Sequence, residues 1–286
     1  MKKLLFFLIV ICLISCSCAS NDIVTKCDDN WGSNAVNYKY IKVSDTKIKI
    51  AVVDSGNNSK SRNIATTYNV LDNNENVTDI ISHGTSIIYK IIELFPDATI
   101  IPIKITNDTE NITVDNLVNG IEKSIELNVD IINLSLGTPL DHKRIQEVIK
   151  QAQKRGIIII AAAGNNGMNT LNYPASYNGV ISVMARDKNN IDIKSNSDSI
   201  DKKSFSAPGA DITCGDSIMN GSSISTAYVT ALVGILKNIN NELSFSNIEH
   251  TLISSCRFST NTSYGMIDYS KAINIVFNKT TDYLHK

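Results

Sequence analysis

Runs of consecutive apolar residues alternate with amphipathic segments along most of this chain. Five runs rich in Ile, Val and Ala predict strands that are buried on both faces, at 47–53, 98–105, 129–134, 157–163 and 180–184. Apolar residues at helical spacing predict helices at 83–95, 114–127 and 141–155, and a further helix after Ser223. Because the two kinds of element alternate, the sequence predicts an α/β fold with a mainly parallel central sheet and helices on both faces.

Polar residues and glycines follow the carboxyl ends of several of these strands. Asp54 ends the first predicted strand, and Asn165 follows the fourth. Ser135 and Gly137 come directly after the third. Ligands of open parallel sheets bind at this edge. The sequence therefore places a candidate site where these residues meet.

Each candidate residue also has a plain structural interpretation when it is taken alone. Asp54 and Asn165 are common turn residues, His83 could lie on the surface at the start of a helix, and Ser223 could be a helix N-cap. Together they supply an acid, a base, a nucleophile and an amide donor, which are the groups that nucleophilic acyl transfer requires. The Gly-x-Ser-x-Gly elbow of α/β-hydrolases is absent, because 221–225 reads Gly-Ser-Ser-Ile-Ser.

The motifs around these residues, in the order Asp, His, Ser, resemble those of the subtilisin-like serine peptidases, the subtilases. The resemblance covers roughly residues 31–276 and rests on seven ordered motifs. They are Ala-Val-Val-Asp-Ser-Gly at 51–56, His-Gly-Thr at 83–85, Asn-Leu-Ser-Leu-Gly at 133–137, Ala-Ala-Gly-Asn at 162–165, Tyr-Pro-Ala at 173–175, Ser-Ala-Pro-Gly at 206–209 and Gly-Ser-Ser at 221–223. The resemblance implies a three-layer subtilisin-like fold and a serine-type endopeptidase.

The family likeness also implies a role for each candidate residue. Asp54 would orient His83, and His83 would act as general base and then as general acid. Ser223 would attack the scissile carbonyl, while the Asn165 side chain and the Ser223 backbone N–H would bind the oxyanion. The implied partner is a peptide or protein substrate in extended conformation. The residues expected to bind it are Ser135, Leu136, Gly137, Ala162, Ala163, Gly164 and Asn172.

Several positions depart from the family pattern. Ser222 stands where the family usually has Thr, and 224–227 reads Ile-Ser-Thr-Ala in place of Met-Ala-x-Pro. These changes leave open a catalytically weak pseudo-protease that binds peptides. Among active enzymes, processing of a dedicated peptide precursor, as by lantibiotic leader peptidases, and general degradation are both open. The segment from His83 to 97 is short, so the family's tight calcium site is expected to be missing, with a weak site elsewhere still open. No other cofactor and no other metal are expected.

The N-terminus resembles a secretion signal. Two lysines precede an apolar run at 4–14, which is too short to span a bilayer, and Leu-Ile-Ser-Cys at 13–16 resembles a bacterial lipobox. We therefore expect a signal peptide at 1–15, a lipid-anchored Cys16 with a polar tether at 16–30, and a catalytic domain at 31–286. The alternative is ordinary secretion after cleavage near residue 19 or 20. In both cases the protein acts outside the cytoplasm.

Charge and cysteine content limit the other partners. The net charge is −1 and no basic block is present, so nucleic acid is not an expected partner. We expect a monomer. Two of the six cysteines, Cys214 and Cys256, belong to the body of the chain and could form a disulfide outside the cytoplasm. The sequence does not decide whether they approach each other.

Overall fold

A computed structural model of the protein describes residues 30–42, 47–108, 111–215 and 217–284. The predicted signal peptide and the lipobox Cys16 lie outside the described residues. The strands are β1 (Lys49–Asp54), β2 (Tyr68–Asn69), β3 (Thr99–Lys104), β4 (Ile131–Leu134), β5 (Ile158–Ala162), β6 (Val180–Arg186), β7 (Ser204–Pro208), β8 (Ile212–Cys214), β9 (Ser217–Met219) and β10 (Ser263–Met266). The helices are α1 (Asn30–Ala35), α2 (His83–Leu94), α3 (Val114–Glu126), α4 (Lys143–Lys154), α5 (Ser222–Ile239), α6 (Phe245–Ser255) and α7 (Tyr269–Leu284).

Eight of the strands form one sheet in the order β10-β7-β6-β5-β4-β1-β3-β2. All neighbouring strands within it run parallel. Strand β1 lies between β3 and β4, whereas β8 and β9 form a separate antiparallel pair. Because the strands are parallel, the carboxyl ends of β1, β4 and β5 meet at one edge of the sheet.

Helices cover both faces of this sheet. Along β1, Ile50 and Val52 belong to the apolar layer that includes residues of α2, α5, α6 and α7, whereas Ala51 and Val53 belong to the layer on the opposite face, with residues of α3 and α4. Alternate side chains of a strand point to opposite faces, so two apolar layers explain why the strand is apolar throughout. The predicted three-layer α/β fold is confirmed. In the described part of the chain, no helix is both long and apolar enough to cross a membrane.

Two helix starts differ from the sequence-based expectation. The N-cap of α5 is Gly221, with a φ of 102°, so Ser223 is the second residue of the helix and not its cap. Helix α4 begins at Lys143 and not at Asp141, because the His142 side chain accepts a hydrogen bond from the N–H of Arg144. The Asp141 carboxylate instead accepts a hydrogen bond from the Tyr177 hydroxyl at 2.6 Å.

The two cysteines of the body do not pair with each other. Cys214 is disulfide-bonded, whereas Cys256 is a free thiol. Burial raises the pKa of Cys256 to about 12. A thiol reacts as its thiolate, so the half-buried Cys256 is unreactive at neutral pH.

Candidate active site

Asp54 and His83 meet where a central strand ends and a helix begins. Asp54 is the last residue of β1 and is 2% exposed. His83 is the first residue of α2, and its Nδ1 lies 2.7 Å from Asp54 Oδ1. The same carboxylate oxygen accepts a hydrogen bond from the N–H of Ser55 at 2.7 Å. These contacts hold the imidazole ring with Nδ1 toward Asp54 and leave Nε2 for another partner.

The surroundings of His83 favour its protonated form. Burial lowers the pKa of the imidazole, but the charge and the hydrogen bond of Asp54, together with the charge of Asp79, raise it more. The net result is a pKa above the ordinary histidine value. A base with a raised pKa accepts a proton more readily, which suits a group that must deprotonate a serine hydroxyl.

Asp79 is a residue of the site that the sequence analysis missed. Its buried carboxylate accepts hydrogen bonds from the N–H groups of Ser82 (2.9 Å) and Thr85 (2.9 Å) at the start of α2. It also accepts from the hydroxyls of Ser55 (2.9 Å) and Thr85 (2.6 Å). Burial raises the pKa of Asp79, but the hydrogen bonds lower it by a larger amount. The net pKa is therefore below the ordinary value of an aspartate. An Asp just before a helix is a recognised start signal, and it could have identified this anchor.

Ser223 lies in the first turn of α5 and faces Ser135. Its Oγ donates a hydrogen bond to the Ser135 carbonyl at 2.8 Å. The Ser135 hydroxyl donates to the Ser223 carbonyl at 2.9 Å and accepts from Asn133 Nδ2 at 3.0 Å. Within the described residues, His83 Nε2 makes no hydrogen bond, so the Ser223 hydroxyl must rotate away from Ser135 to reach it.

The Asn165 side chain has one defined orientation. Its Oδ1 accepts hydrogen bonds from the N–H of Ser222 at 2.8 Å and from the Ser222 hydroxyl at 2.9 Å. Only the oxygen of the amide can accept, so Nδ2 points the other way and is available as a donor. Gly221 makes room for this amide, because a Cβ at that position would lie 2.7 Å from Asn165 Nδ2.

The residues that depart from the family pattern are hydrogen-bonded within the fold. Ser222 is fully buried and binds Asn165, as described above. The Ser225 hydroxyl donates to the carbonyl of Pro208 at 3.0 Å, and the Thr226 hydroxyl donates to the carbonyl of Ser222 at 2.7 Å. These polar substitutions therefore leave no unsatisfied hydroxyl beneath Ser223.

A cleft of about 600 Å³ connects these groups. It contains all four candidate catalytic residues and most of the expected substrate-binding residues. Its lining is Asp54, His83, Thr106, Ile112, Ser135, Leu136, Gly137, Ala162, Gly164, Asn165, Asn166, Asn172, Asn220, Ser222 and Ser223. Ala163 does not line it: its side chain packs with Leu171 and Met184 on the other side of the backbone. Its carbonyl accepts a hydrogen bond from the N–H of Asn172 at 2.8 Å.

Asn172 lies between the two backbone segments that form the walls of this cleft. A Cβ at Gly137 would lie 3.0 Å from Asn172 Cβ, and a Cβ at Gly164 would lie 2.7 Å from Asn172 Nδ2. Asn166 Nδ2 contacts Asn172 Oδ1 at 3.4 Å. The asparagine therefore occupies the space between the glycines and gives the pocket a polar end.

Comparison with known proteins adds a sequence relationship to this geometry. A family model described as the subtilase family matches residues 45–269. The minor extracellular protease Epr of Bacillus subtilis (strain 168) is 33% identical over 208 residues, which is 66% of this chain and 32% of Epr. The chain thus spans about a third of the length of that relative.

Solved structures show the same architecture. A lanthipeptide protease is 20% identical with a TM-score of 0.71, over 80% of this chain and 87% of that one. The prenylagaramide maturation protease PagA is 19% identical with a TM-score of 0.68, over 80% of this chain and 93% of that one. At this level of identity the likeness establishes the fold alone.

Proposed function

This chain belongs to the subtilase family, and on that premise we propose that it is a serine endopeptidase that uses Asp54, His83 and Ser223. The observation that carries the proposal is the 2.7 Å contact between Asp54 Oδ1 and His83 Nδ1, in the same cleft as Ser223 and Asn165. That contact fixes the tautomer in which His83 Nε2 can accept a proton. The cleft thus contains a base, a nucleophile and an amide donor.

The reaction begins when the Ser223 hydroxyl leaves the Ser135 carbonyl and gives its proton to His83 Nε2. Ser223 Oγ then attacks the scissile carbonyl carbon, and the negative charge moves to the carbonyl oxygen. Asn165 Nδ2 and the Ser223 N–H at the start of α5 donate hydrogen bonds to this oxyanion. His83 then protonates the amide nitrogen, the C–N bond breaks as the carbonyl re-forms, and the amine leaves. A water molecule, deprotonated by His83, hydrolyses the acyl-enzyme by the same steps and frees Ser223.

The substrate binds as an extended strand beside residues 135–137. This segment follows β4, and Thr138 and Tyr173 close its far end with hydrogen bonds of 2.8 and 2.7 Å. Backbone groups at the edge of such a segment can pair with a peptide, whatever its side chains are. Specificity then comes from the pocket that the Asn172 side chain narrows. This pocket favours a small or polar side chain on the substrate residue that precedes the cleaved bond.

We further propose that the natural substrate is one dedicated peptide precursor, such as a lantibiotic leader, and that the enzyme acts outside the cytoplasm as a lipoprotein anchored through Cys16. The structural likeness to a lanthipeptide protease and to the maturation protease PagA supports the substrate class. The name of Epr, a minor extracellular protease, supports the location. General degradation of extracellular protein is the competing function, and the narrow pocket favours the dedicated substrate.

Labelling with a fluorophosphonate tests the catalytic proposal. The wild type should be labelled, and Ser223→Ala should not be. Ser254→Ala, an exposed serine on α6, is the matched control and should be labelled as the wild type is. A folded wild type that resists the probe would leave only peptide binding and would refute the proposal.

A further inference from the structure

A buried lysine lies beside the candidate catalytic acid. Lys104 is the last residue of β3 and is 4% exposed. In the register of the two parallel strands it pairs with Asp54, the last residue of β1. Successive side chains of a strand alternate between the two faces of a sheet, so residues that are in register share a face. The Lys104 side chain therefore extends into the region where Asp54 meets the start of α2.

The ammonium of Lys104 joins two segments of the chain. Its Nζ donates to the Ser55 carbonyl at 2.9 Å and to the Thr78 carbonyl at 2.6 Å. Ser55 directly follows Asp54, and Thr78 directly precedes Asp79. Carbonyl oxygens only accept, so both contacts need N–H donors, of which an ammonium has three. One charged group thus holds the end of β1 and the Asp79 segment together.

Both of these segments are hydrogen-bonded to the helix that begins with His83. The Ser55 hydroxyl accepts from the N–H of Gly84, the residue after His83, at 2.9 Å, and it donates to Asp79 at 2.9 Å. Asp79 in turn accepts from two N–H groups at the start of α2. The position of His83 relative to the end of β1 therefore depends on the two segments that Lys104 joins.

The backbones of these segments are in direct contact. A Cβ at Gly84 would lie 2.5 Å from the Gly56 carbonyl oxygen, and a Cβ at Gly56 would lie 2.2 Å from the Val77 carbonyl oxygen. Gly56 also has a φ of 127°, which favours glycine. Because the contacts leave so little space, a shift of the Asp79 segment is passed on to the start of α2.

We propose that Lys104 is a positioning residue of the peptidase, and that its ammonium keeps His83 within hydrogen-bond distance of Asp54 by holding the carbonyls of Ser55 and Thr78. The proposal rests on the proposed function, which assigns Asp54 and His83 to the reaction. Lys104 does not line the cleft, so it acts through these segments and not on the substrate.

The charges around Lys104 fit this role. Burial lowers the pKa of Lys104 below the ordinary lysine value, and the charges of Asp79 and Asp72 offset part of this effect. The carboxylate that anchors the start of α2 therefore also favours the charged form of the lysine. Lys104 and Asp79 should behave as one unit when either is changed.

Replacement of Lys104 by methionine tests the proposal, because Met keeps the apolar stem and removes the ammonium. In Lys104→Met the kcat should fall at least about tenfold, while KM changes less than about twofold, since a small displacement of the base impairs the chemical step more than binding. A Lys104→Met variant that keeps the wild-type kcat would refute the proposal.

Lys90→Met is the matched control, since it also removes a buried ammonium. Lys90 is 0% exposed, its Nζ lies 2.8 Å from Glu93 Oε2 and 5.1 Å from the centre of the Tyr228 ring, and it does not line the cleft. Both variants should lose thermal stability, by about 3–8 °C. Only Lys104→Met should lose turnover, and equal losses of kcat would show that Lys104 is merely structural.

A double-mutant cycle with Asp79→Asn tests the route of the effect. Asn offers one acceptor oxygen in place of two, so Asp79→Asn should also lower kcat. If Lys104 acts through the Asp79 segment, the kcat of the double variant should fall by less than the product of the two single losses. Losses that multiply fully would show that Lys104 acts independently of Asp79 and would contradict the proposal.

NMR in the inactive Ser223→Ala background reports on the Asp54–His83 contact without turnover. The low-field resonance of the proton between the two side chains should shift or broaden when Lys104→Met is added, and should not change with Lys90→Met. A resonance that ignores Lys104→Met would overturn the positioning role. A resonance that responds, in a protein whose wild type cleaves no peptide, would support the positioning role and refute only the peptidase assignment.

Lys104→Gln provides a second variant if Lys104→Met does not fold. Gln keeps a polar end with N–H donors but has no charge and is shorter, so kcat should fall by at least about threefold. Wild-type kcat in Lys104→Gln would show that the ammonium is not needed to hold His83 against Asp54.

Discussion

Ser135 and Ser223 are joined by two hydrogen bonds of opposite direction. Ser223 Oγ donates to the Ser135 carbonyl at 2.8 Å, and Ser135 Oγ donates to the Ser223 carbonyl at 2.9 Å. Asn133 Nδ2 donates a hydrogen bond to Ser135 Oγ, and Asn133 Oδ1 accepts one from the Thr230 hydroxyl at 2.8 Å. A chain of buried polar groups thus ties the candidate nucleophile to the end of β4, and this arrangement can be tested.

The first prediction concerns the Ser135 hydroxyl. Ser135→Ala removes the donor to the Ser223 carbonyl, so the first turn of α5 is held less firmly and kcat should fall about fivefold to tenfold, with little change in KM. Ser206→Ala removes another buried hydroxyl, which pairs with Ser263 at 2.7 Å away from the cleft. Both variants should lose similar thermal stability, but only Ser135→Ala should lose turnover. Equal loss of kcat in both would show that Ser135 is merely structural.

The second prediction concerns the pH dependence of the reaction. The pKa of His83 lies above its ordinary value, because Asp54 and Asp79 together outweigh the effect of burial. Below that pKa the imidazole is protonated and cannot accept the Ser223 proton. The acid limb of kcat/KM should therefore have its midpoint above about 6.5, the ordinary histidine value.

Asp54→Asn provides the control for this assignment. It removes the largest raising charge, so the pKa of His83 and the acid limb should both move to lower pH, while kcat falls by about four orders of magnitude. NMR titration of His83 in the inactive Ser223→Ala protein gives the same pKa without turnover. A midpoint at or below the ordinary value in both measurements would contradict the electrostatic role of Asp54.

The third prediction concerns the oxyanion. Because Ser222 fixes Asn165 Oδ1, the Nδ2 donor is already oriented before the substrate binds. Asn165→Ala should lower kcat by about 10²–10³ with a small effect on KM; this is the loss known for such a donor in subtilisin, a member of the same family. Asn166→Ala, the neighbouring cleft residue, should retain most of the turnover. Similar losses in the two variants would remove Asn165 from the oxyanion site.

The elements that the sequence predicted well are those whose buried side chains are apolar. Strands β1, β3 and β5 are flanked by helices on both faces, so nearly every position is apolar and the pattern is unambiguous. The same reasoning located Asp54 and Asn165, because Asp54 is the last residue of β1 and Asn165 lies three residues after the end of β5. The ends of these strands lie together because the sheet is parallel, and the alternation of strands and helices in the sequence predicted a parallel sheet.

Strands β7 and β10 could not be predicted in this way, because buried serines interrupt their apolar positions. The Ser204 hydroxyl pairs with Ser182 on β6 at 2.8 Å, and the Ser206 hydroxyl pairs with Ser263 on β10 at 2.7 Å. Each serine is buried only because its partner is present, and that partner is distant in sequence. The hydrogen bonds from Lys202 Nζ to the carbonyls of Ala175, Tyr177 and Val180 were hidden for the same reason.

The fourth prediction concerns the N-terminus, which lies outside the described residues. If Cys16 carries lipid, a fatty-acid analogue supplied to the producing cells should label the protein, and Cys16→Ser should abolish the label. Cys18→Ser removes a nearby cysteine without changing the predicted lipobox and should stay labelled. A label that survives in Cys16→Ser would refute the lipoprotein prediction and leave ordinary secretion.

The last prediction concerns the pocket that Asn172 narrows between Gly137 and Gly164. Asn172→Gly empties that space, so side chains such as Leu or Phe before the scissile bond should gain about tenfold or more in kcat/KM relative to Ser or Ala. A peptide library with mass spectrometry of the products measures this ratio. Asn178→Gly changes an exposed residue of the same segment outside the cleft and should leave the ratio unchanged. If Asn172→Gly only lowers the rate for every substrate, Asn172 supports the loop and does not select the substrate.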